Sequence, residues 1–569
     1  MQKMLGRVGA GMLRLGTRRW GRVLAVVIVC CFSFFVHLQA PGVSLMEARN
    51  FVAAREMAGG GSWLIPTMNG ALRLAKPPLP TWAVATAMRV FHTTTNLFVL
   101  RLPAALMASL LIFFFWGLVR ELTRPQESQL PPDPDAGRTA WLAALVLASS
   151  VLLLTTGRDG QWDIFANSFM LAALWWLTRG LNNAGSAYGW FVAAGLAVGA
   201  SVLSKGPVAL YAVLVPYVGC YASRLNPCRA DVGRQWRGLL LMLVVGLGVG
   251  LAWPAYILTH VPAAALAVAR VETTAWQQRH VQPPWYYLSF PVFAGFWLIL
   301  ALAVLAVPYA RRRVAPFAPY LFGLGWFVAA LVLLSLVPEK KVRYMLPLMP
   351  PLALLIAGLL RYLESAATAA ALQRADRRLL RVWSGLLVVV CVAVPVGMAV
   401  VPLAGFGVLT GRFLAAVLVL GCVALAAFWC GARGLRPVVL MAASLTLLGA
   451  MITLLLPAYP LWESRRDEAG LTHLRDVQAR LALRGLPWFS VGELGVTQVW
   501  AAGHAIPTWQ PDTAVAPKLP LVLLSGTPYT AAQLPKRWQT RIAVAPPDSF
   551  YLGRKKDSGL CFYTVLTVK

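Results

Sequence analysis

Ten side chains stand out because their types and spacing suit the handling of an anionic phosphate at a reacting centre. They sit in short polar stretches between long apolar ones. Leu45-Met46-Glu47-Ala48-Arg49-Asn50 is followed by Ala54-Arg55-Glu56-Met57, by Trp63-Leu64-Ile65-Pro66-Thr67-Met68-Asn69-Gly70 and by Lys76-Pro77-Pro78-Leu79. Arg158 and Asp163 head one apolar run, and Leu203-Ser204-Lys205-Gly206-Pro207 joins two more. His280-Val281-Gln282-Pro283-Pro284-Trp285-Tyr286-Tyr287 and Lys340-Lys341-Val342-Arg343-Tyr344-Met345-Leu346-Pro347 complete the set.

A departing phosphate needs positive charge where negative charge develops. Arg49, Lys76, Lys205 and Arg343 are of the type to supply it, with Arg158 and Lys340 as further cations, His280 as a polar group and Tyr344 as a hydroxyl donor. Arginine clamps phosphate through two hydrogen bonds, and lysine acts as a point charge. A hydroxyl acceptor also needs a general base. Glu47 and Asp163 are the candidates, although Glu47 is also placed to pair with Arg49 or Arg55, and Asp163 to cap the helix that begins beside it. An acceptor that is already a phosphate needs a base less.

The elements that must position these residues are membrane spans. Of the 569 residues, 59% are hydrophobic and 13% charged, against about 25% charged in soluble domains. Runs of about 20 apolar residues match the bilayer core as helices, the form that satisfies the backbone in lipid. About thirteen such runs are legible, near 23–39, 102–120, 139–156, 162–178, 189–204, 207–222, 238–258, 285–307, 316–337, 344–360, 383–402, 412–431 and 437–456. The first follows a basic segment, 1–22, without a clear small-residue cleavage site, and reads as an uncleaved span. The expected fold is therefore all-α and polytopic, with a transmembrane domain over 23–456.

The formal charge of +30 reflects basic loops rather than nucleic-acid binding, for which no zinc-finger, helix-turn-helix or RNA-binding signature is present. With the N-terminus cytoplasmic, the inside loops carry Arg7, Arg14, Arg18, Arg19 and Arg22, then Arg224, Arg229, Arg234 and Arg237. Arg311-Arg312-Arg313, Arg374, Arg377, Arg378, Arg381, Arg433 and Arg436 follow on the same side. The chemistry-bearing stretches, with Arg73, Asp159, Arg279 and Glu339, then all fall outside, where basic residues run against the positive-inside bias. Ionisable groups gathered near membrane depth are costly and usually functional.

The outer loop 40–101 is long. Phe51, Ala54 and Met57, and then Trp82, Ala85, Met88 and Val90, recur at helical spacing, so Glu47–Ala58 and Pro80–Phe91 read as amphipathic helices lying at the membrane interface. The prolines after Lys76 exclude helix there and predict an exposed lysine. Residues 457–569 lose the span-length runs. Helices over Glu468–Leu483, Val496–Ala502 and Ala531–Trp538 alternate with strands over Trp488–Val491, Leu519–Leu524 and Thr540–Ala545, and Phe550–Leu552 and Leu560–Val568 read as a closing hairpin. This predicts a small C-terminal α/β domain on the periplasmic side. Seven of the eight cysteines, Cys228 among them, lie in or beside spans, and no CxxC pair suggests a disulfide framework or thiolate metal site.

At the stretches quoted above the sequence resembles the GT-C glycosyltransferases that use lipid-linked sugars. The nearest branches are the lipid A aminoarabinose transferases and the protein O-mannosyltransferases. The resemblance covers about residues 20–360, with topology in support through 456. It implies a periplasm-facing cavity built by the first outer loop and its neighbours, in a bacterial inner membrane. The implied donor is a polyprenyl-phosphate sugar, and the implied acceptor is lipid A, another envelope glycan or a protein. Two positions depart from the family: Met46 stands where an Asp usually precedes Glu47, and Ala75 where a Glu often precedes Lys-Pro-Pro. In the aminoarabinose branch that Glu and a His matching His280 are linked to a metal site. With Ala75 in its place, a divalent-metal site is not expected, and His280 reads as a polar cavity residue. Trp276, Trp285, Tyr286 and Tyr287 suit either a sugar platform or an interfacial aromatic belt. A transporter or flippase for a lipid-linked or polar substrate is the competing reading, although no internal repeat supports it. An assembly protein docking a partner through its C-terminal domain is a third.

Overall fold

The computed structural model describes residues 19–127, 136–183, 188–223, 225, 233–263, 266–267, 280–400, 410–459, 470–509, 518–551 and 560–569. Arg7, Arg14, Arg18, Arg224, Cys228, Arg229, Trp276, Arg279, Glu468 and Leu552 lie outside the described residues. The chain divides into two compact units. One comprises Met1–Leu38, Leu74–Pro80 and Arg101–Pro457, and the other Gln39–Arg73, Thr81–Leu100 and Ala458–Lys569.

The first unit is helical. Six helices among the described residues are long and apolar enough to cross a membrane: Leu97–Arg124, Gly233–His260, Val342–Thr368, Arg374–Val400, Gly411–Gly434 and Pro437–Ala458. Two bent pairs raise the number to eight if each is one span. The shorter apolar helices Trp20–Phe35, Leu210–Ala222 and Tyr320–Leu336 accompany them, as do Trp162–Leu181 and Tyr188–Lys205.

Two stretches that read as single straight spans are broken. Arg138–Ala148 and Val151–Gly157 meet at 64°, and Pro284–Phe293 and Gly295–Leu305 at 97°. The first break has a local cause. The Ser149 and Ser150 hydroxyls donate back to the carbonyls of Leu145 and Leu147 at 2.6 and 2.8 Å, which competes with continuing the helix. The second break turns on Gly295, whose φ of +67° favours glycine. The two breaks abut: a Cβ on Gly295 would lie 2.8 Å from the Val151 side chain, and the Trp297 indole donates to the Ser149 hydroxyl at 2.9 Å.

Close helix packing sets the outer ends of two further helices. Gly195 and Gly199 of Tyr188–Lys205 face Trp236–His260. A Cβ on Gly195 would lie 2.7 Å from the Met242 carbonyl, and one on Gly199 2.5 Å from the Val249 side chain. Small residues spaced four apart let membrane helices approach in this way. On its other side, Tyr188–Lys205 is tied to Trp162–Leu181 by the Ser201 hydroxyl, which donates to the Ala166 carbonyl at 2.8 Å.

The second unit combines the first outer loop with the C-terminal segment. The loop supplies Leu45–Ala58, a short antiparallel pair β1 (Thr67–Met68) and β2 (Ala71–Leu72), and Leu79–Val90. The two helices form as read from the sequence, but their apolar faces are not free for a bilayer surface. Phe51, Ala54, Met57, Val84, Ala85 and Met88 pack with Val499 and Trp500. Within the loop, buried Thr81 donates to Asn50 at 2.7 Å, and Arg89 donates to the Met57 and Ala58 carbonyls at 3.4 and 3.3 Å.

The C-terminal residues form β3 (Trp488–Ser490), β4 (Leu521–Ser525), β5 (Ile542–Val544), β6 (Asp548–Tyr551) and β7 (Leu560–Val568), in the order β3-β4-β7-β5, with β6 also paired to β7. β3 and β4 are parallel, with Trp488 opposite Val522, and the other pairings are antiparallel. Helices Gly470–Ala479 and Val496–Ala502 accompany the sheet. The helix expected over Ala531–Trp538 is instead two short turns, Ala531–Gln533 and Lys536–Gln539, separated by Pro535.

Candidate functional site

Five of the ten side chains converge in the first unit. Asp163 lies in the first turn of Trp162–Leu181 and Lys205 is the last residue of Tyr188–Lys205. The packing that joins these helices brings the two together, and Lys205 donates from Nζ to Asp163 Oδ1. Arg343 Nε stands 3.3 Å from Asp163 Oδ2. Lys205 is 8% exposed and Asp163 4%, so the pair is withdrawn from solvent. Lys76 lies within electrostatic reach of Lys205. Tyr344 forms the platform: its ring centroid is 4.3 Å from Lys205 Nζ, 5.6 Å from the Arg343 guanidinium carbon and 5.8 Å from Lys341 Nζ. Cations over an aromatic face gain from its quadrupole.

Two cations, Lys205 and Arg343, share the carboxylate of Asp163, while Lys341 pairs with Glu339. Asp163 makes no side-chain cap to its own helix, whose N-cap is Gln161. Its carboxylate is held instead by two cations, which suits orienting them better than accepting a proton. Lys76 is non-helical, as its prolines require, but half-buried rather than exposed.

Arg158 and Lys340 sit elsewhere in the first unit, bound to backbone carbonyls. Buried Arg158 donates to the carbonyls of Ser33 and Val36 at 3.1 and 2.7 Å, and Arg101 donates to that of Leu38 at 3.0 Å. Both thereby hold the end of the first span. Lys340 donates from Nζ to Val337 and Gln282 carbonyls at 2.6 and 3.2 Å, and burial lowers its pKa below the usual lysine range. With the Val281–Glu339 bridge and the bond from the Gln282 amide to the Pro338 carbonyl, Lys340 clamps residues 280–282 to 337–340. His280 is exposed at this junction, in the left-handed region at φ +53°, and its carbonyl accepts from the Lys340 amide at 3.2 Å. Nearby Trp285 is 68% exposed, and Tyr287 is buried. Among the described residues, no three or more His, Cys, Asp or Glu side chains are grouped so as to hold a metal ion.

Glu47 and Arg49 belong to the second unit. Ser44 and Glu47 form a reciprocal capping box: the Glu47 amide donates to the Ser44 hydroxyl at 3.2 Å, and the Ser44 amide to Glu47 Oε2 at 3.0 Å. Arg49 reaches the Met46 sulfur at 3.8 Å. The sequence pattern Ser-x-x-Glu signals that box.

Sequence reasoning missed Lys341 beside Tyr344. The signal was spacing: the two are three apart around the start of the 3-10 helix Val342–Leu348, where residues i and i+3 align.

Known proteins resemble this chain in sequence and in fold. The family model for dolichyl-phosphate-mannose-protein mannosyltransferases matches residues 75–225, a stretch that contains Lys76, Arg158, Asp163 and Lys205. An undecaprenyl phosphate-alpha-4-amino-4-deoxy-L-arabinose arabinosyl transferase of Aeromonas hydrophila is 28% identical over 336 residues, 58% of this chain and 58% of that protein. One of the corresponding Pseudomonas fluorescens proteins is 30% identical over 369 residues, 60% of each. The chain thus spans about three fifths of the length of the curated relatives it matches. The crystal structure of ArnT from Cupriavidus metallidurans bound to undecaprenyl phosphate superposes with a TM-score of 0.68 at 18% identity, covering 96% of this chain and 98% of that one. Its apo form gives 0.63 at 19% identity, covering 96% and 97%. The chain thus shares the fold of ArnT, and its sequence is similar to that of the lipid-linked-sugar transferases just described. With six to eight helices long and apolar enough to cross a membrane among its described residues, it is a multi-pass membrane protein.

Proposed function

We propose that this chain transfers a sugar from a polyprenyl-phosphate carrier to an acceptor of the cell envelope at the periplasmic face. The carrying observation is that two cations, Lys205 and Arg343, share the carboxylate of Asp163 where helix ends meet. In the reaction an oxygen of the acceptor forms a bond to the sugar's anomeric carbon, the bond from that carbon to the carrier's phosphate oxygen breaks, and the electron pair of the broken bond stays on the phosphate. Lys205 and Arg343 stabilise the charge that develops, Lys76 adds to the field, and Asp163 holds the two cations in place. Tyr344 orients both from beneath.

Both candidate bases are engaged, Asp163 by two cations and Glu47 in its capping box. An acceptor that is already anionic needs neither. This favours a phosphate acceptor such as lipid A over a protein hydroxyl, and the relatives that transfer aminoarabinose favour a pentose. Arg49 and His280 are assigned to the sugar and acceptor side, and Arg158 and Lys340 to positioning. The membrane topology we favour has about thirteen crossings over 23–456, a cytoplasmic N-terminus at 1–22 and a periplasmic α/β domain over 457–569. The alternating arginine-rich loops support it.

The test is mass spectrometry of lipid A and of envelope proteins from cells with and without the protein, together with transfer assays on the purified chain. Loss of a sugar from lipid A is expected, with transfer abolished in Lys205→Met and Arg343→Met. An unchanged envelope, or full transfer by both variants, refutes the reading.

A further inference from the structure

The loop helix Leu45–Ala58 is gripped by the C-terminal segment at two points, and both grips are polar and directional. At the first, Arg55 of Leu45–Ala58 donates from Nη2 to the carbonyl of Val499 in the C-terminal helix Val496–Ala502 at 3.0 Å. Its guanidinium carbon lies 6.0 Å from the Trp500 ring centre, and Phe51 packs on the same ring at 5.4 Å. Arg55 is 9% exposed and Val499 1%, so this bond forms out of water.

The second grip runs through the neighbouring residue. Glu56 accepts from the Thr67 hydroxyl at 2.5 Å and from the Asn69 amide at 2.6 Å, which fastens the β1–β2 turn to the helix. Asn69 sits at the tip of that turn with φ +56°, a conformation asparagine tolerates. Its side-chain amide donates to the Ile506 carbonyl at 2.7 Å, and its side-chain oxygen accepts from the Ile506 amide at 2.7 Å. Asn69 thus serves Ile506 as a neighbouring strand would, satisfying both backbone groups of a fully buried residue. Ile506 packs in turn in the core beneath the C-terminal sheet with Leu474, Trp488 and Val522.

We infer that Arg55, Glu56 and Asn69 are positioning residues, and that the C-terminal segment is the splint that sets the first-loop helix carrying Glu47 and Arg49. This rests on the proposed sugar transfer for its catalytic consequence but not for its mechanical one. On that reading, loosening the splint shifts Glu47 and Arg49 and lowers turnover. A misplacement of about 1 Å costs up to about 100-fold in rate.

The experiment uses the full chain in detergent and compares wild type with Asn69→Ala, Asn69→Asp and Arg55→Met. Hydrogen exchange is read over 45–58 and 496–509, and kcat and donor KM are read with a polyprenyl-phosphate sugar. In Asn69→Ala and Arg55→Met, exchange over both segments rises on the order of tenfold. kcat falls by about tenfold or more. Asn69→Asp keeps an acceptor for the Ile506 amide and gives intermediate values. Unchanged exchange in both Asn69→Ala and Arg55→Met overturns the splint. Faster exchange with unchanged kcat overturns the positioning role. If wild type itself transfers no sugar, the functional reading fails, and the exchange arm alone decides the splint.

Discussion

Asp163→Asn separates the two roles open to this carboxylate. As a positioning group, Asp163 acts only through Lys205 and Arg343. As a general base, it acts on the acceptor. At 3.3 Å and an effective dielectric constant of about 20, a pair of unit charges interacts by roughly 5 kcal/mol. Desolvation of the buried partners offsets much of this, which leaves a net coupling of about 2–3 kcal/mol. Expressed in the transition state, that is a loss of roughly 30- to 150-fold in kcat/KM. The decisive assay is a double-mutant cycle with Lys205→Met, reading initial rates of transfer from a radiolabelled polyprenyl-phosphate sugar, with size-exclusion profiles to show that each variant is folded. If Asp163 works through Lys205, the double variant is little worse than Lys205→Met alone. Losses that add within about 0.5 kcal/mol refute the positioning role and restore Asp163 as an independent base.

Three other perturbations test the frame around the site. Lys340→Met removes a charged donor from the Val337 and Gln282 carbonyls; it is expected to destabilise the chain by about 1–3 kcal/mol in thermal melts and to lower turnover through the neighbouring Arg343–Tyr344 segment. Gly199→Leu places a side chain where a Cβ alone would stand 2.5 Å from Val249; it should separate Tyr188–Lys205 from Trp236–His260, and with it Lys205 from Asp163, abolishing transfer although no catalytic group has changed. Asp548 has its pKa held below the usual carboxylate range by its hydrogen bond from Tyr563, with the Ser549 amide and Arg480 assisting. A depressed folded pKa adds stability that is present above the unfolded value and lost as pH falls through the folded one, so Asp548→Asn should flatten the acid limb of the stability profile of the C-terminal segment, as read by tryptophan fluorescence.

Much of the helical frame was legible because it rests on short-range rules. Apolar runs of bilayer length and the prolines after Lys76 each act within a few residues. The bends were not legible. The one at Ser149–Ser150 follows from two hydroxyls choosing backbone acceptors inside an apolar run that by composition could continue. The one at Gly295 follows from packing against Val151, a partner far away in sequence. The same distinction divides the candidate residues. Type and order marked Lys205, Asp163 and Arg343 as chemically apt, and the structure brings them together. Type alone could not show that Arg158 and Lys340, equally cationic and equally outward in the expected topology, donate to main-chain carbonyls.

That difference in partners is itself physically informative. A buried cation whose hydrogen-bond partners are carbonyls is held by dipoles that cannot leave, so it holds backbone in place. A buried cation paired with a carboxylate that two cations share is under-neutralised, and an arriving phosphate completes the pairing. Lys205 and Arg343 are of the second kind, since Asp163 brings one charge to meet both. A dianionic leaving phosphate supplies what the site lacks, and it does so more fully after the sugar has departed than before. The arrangement therefore stabilises the later charge distribution in preference to the earlier one, which is the condition for accelerating transfer rather than merely retaining the donor. An added phosphate monoester of the prenyl carrier should accordingly bind more tightly than the sugar-bearing diester, measured as product inhibition against donor. Weaker binding of the monoester would mean that these cations serve the ground state.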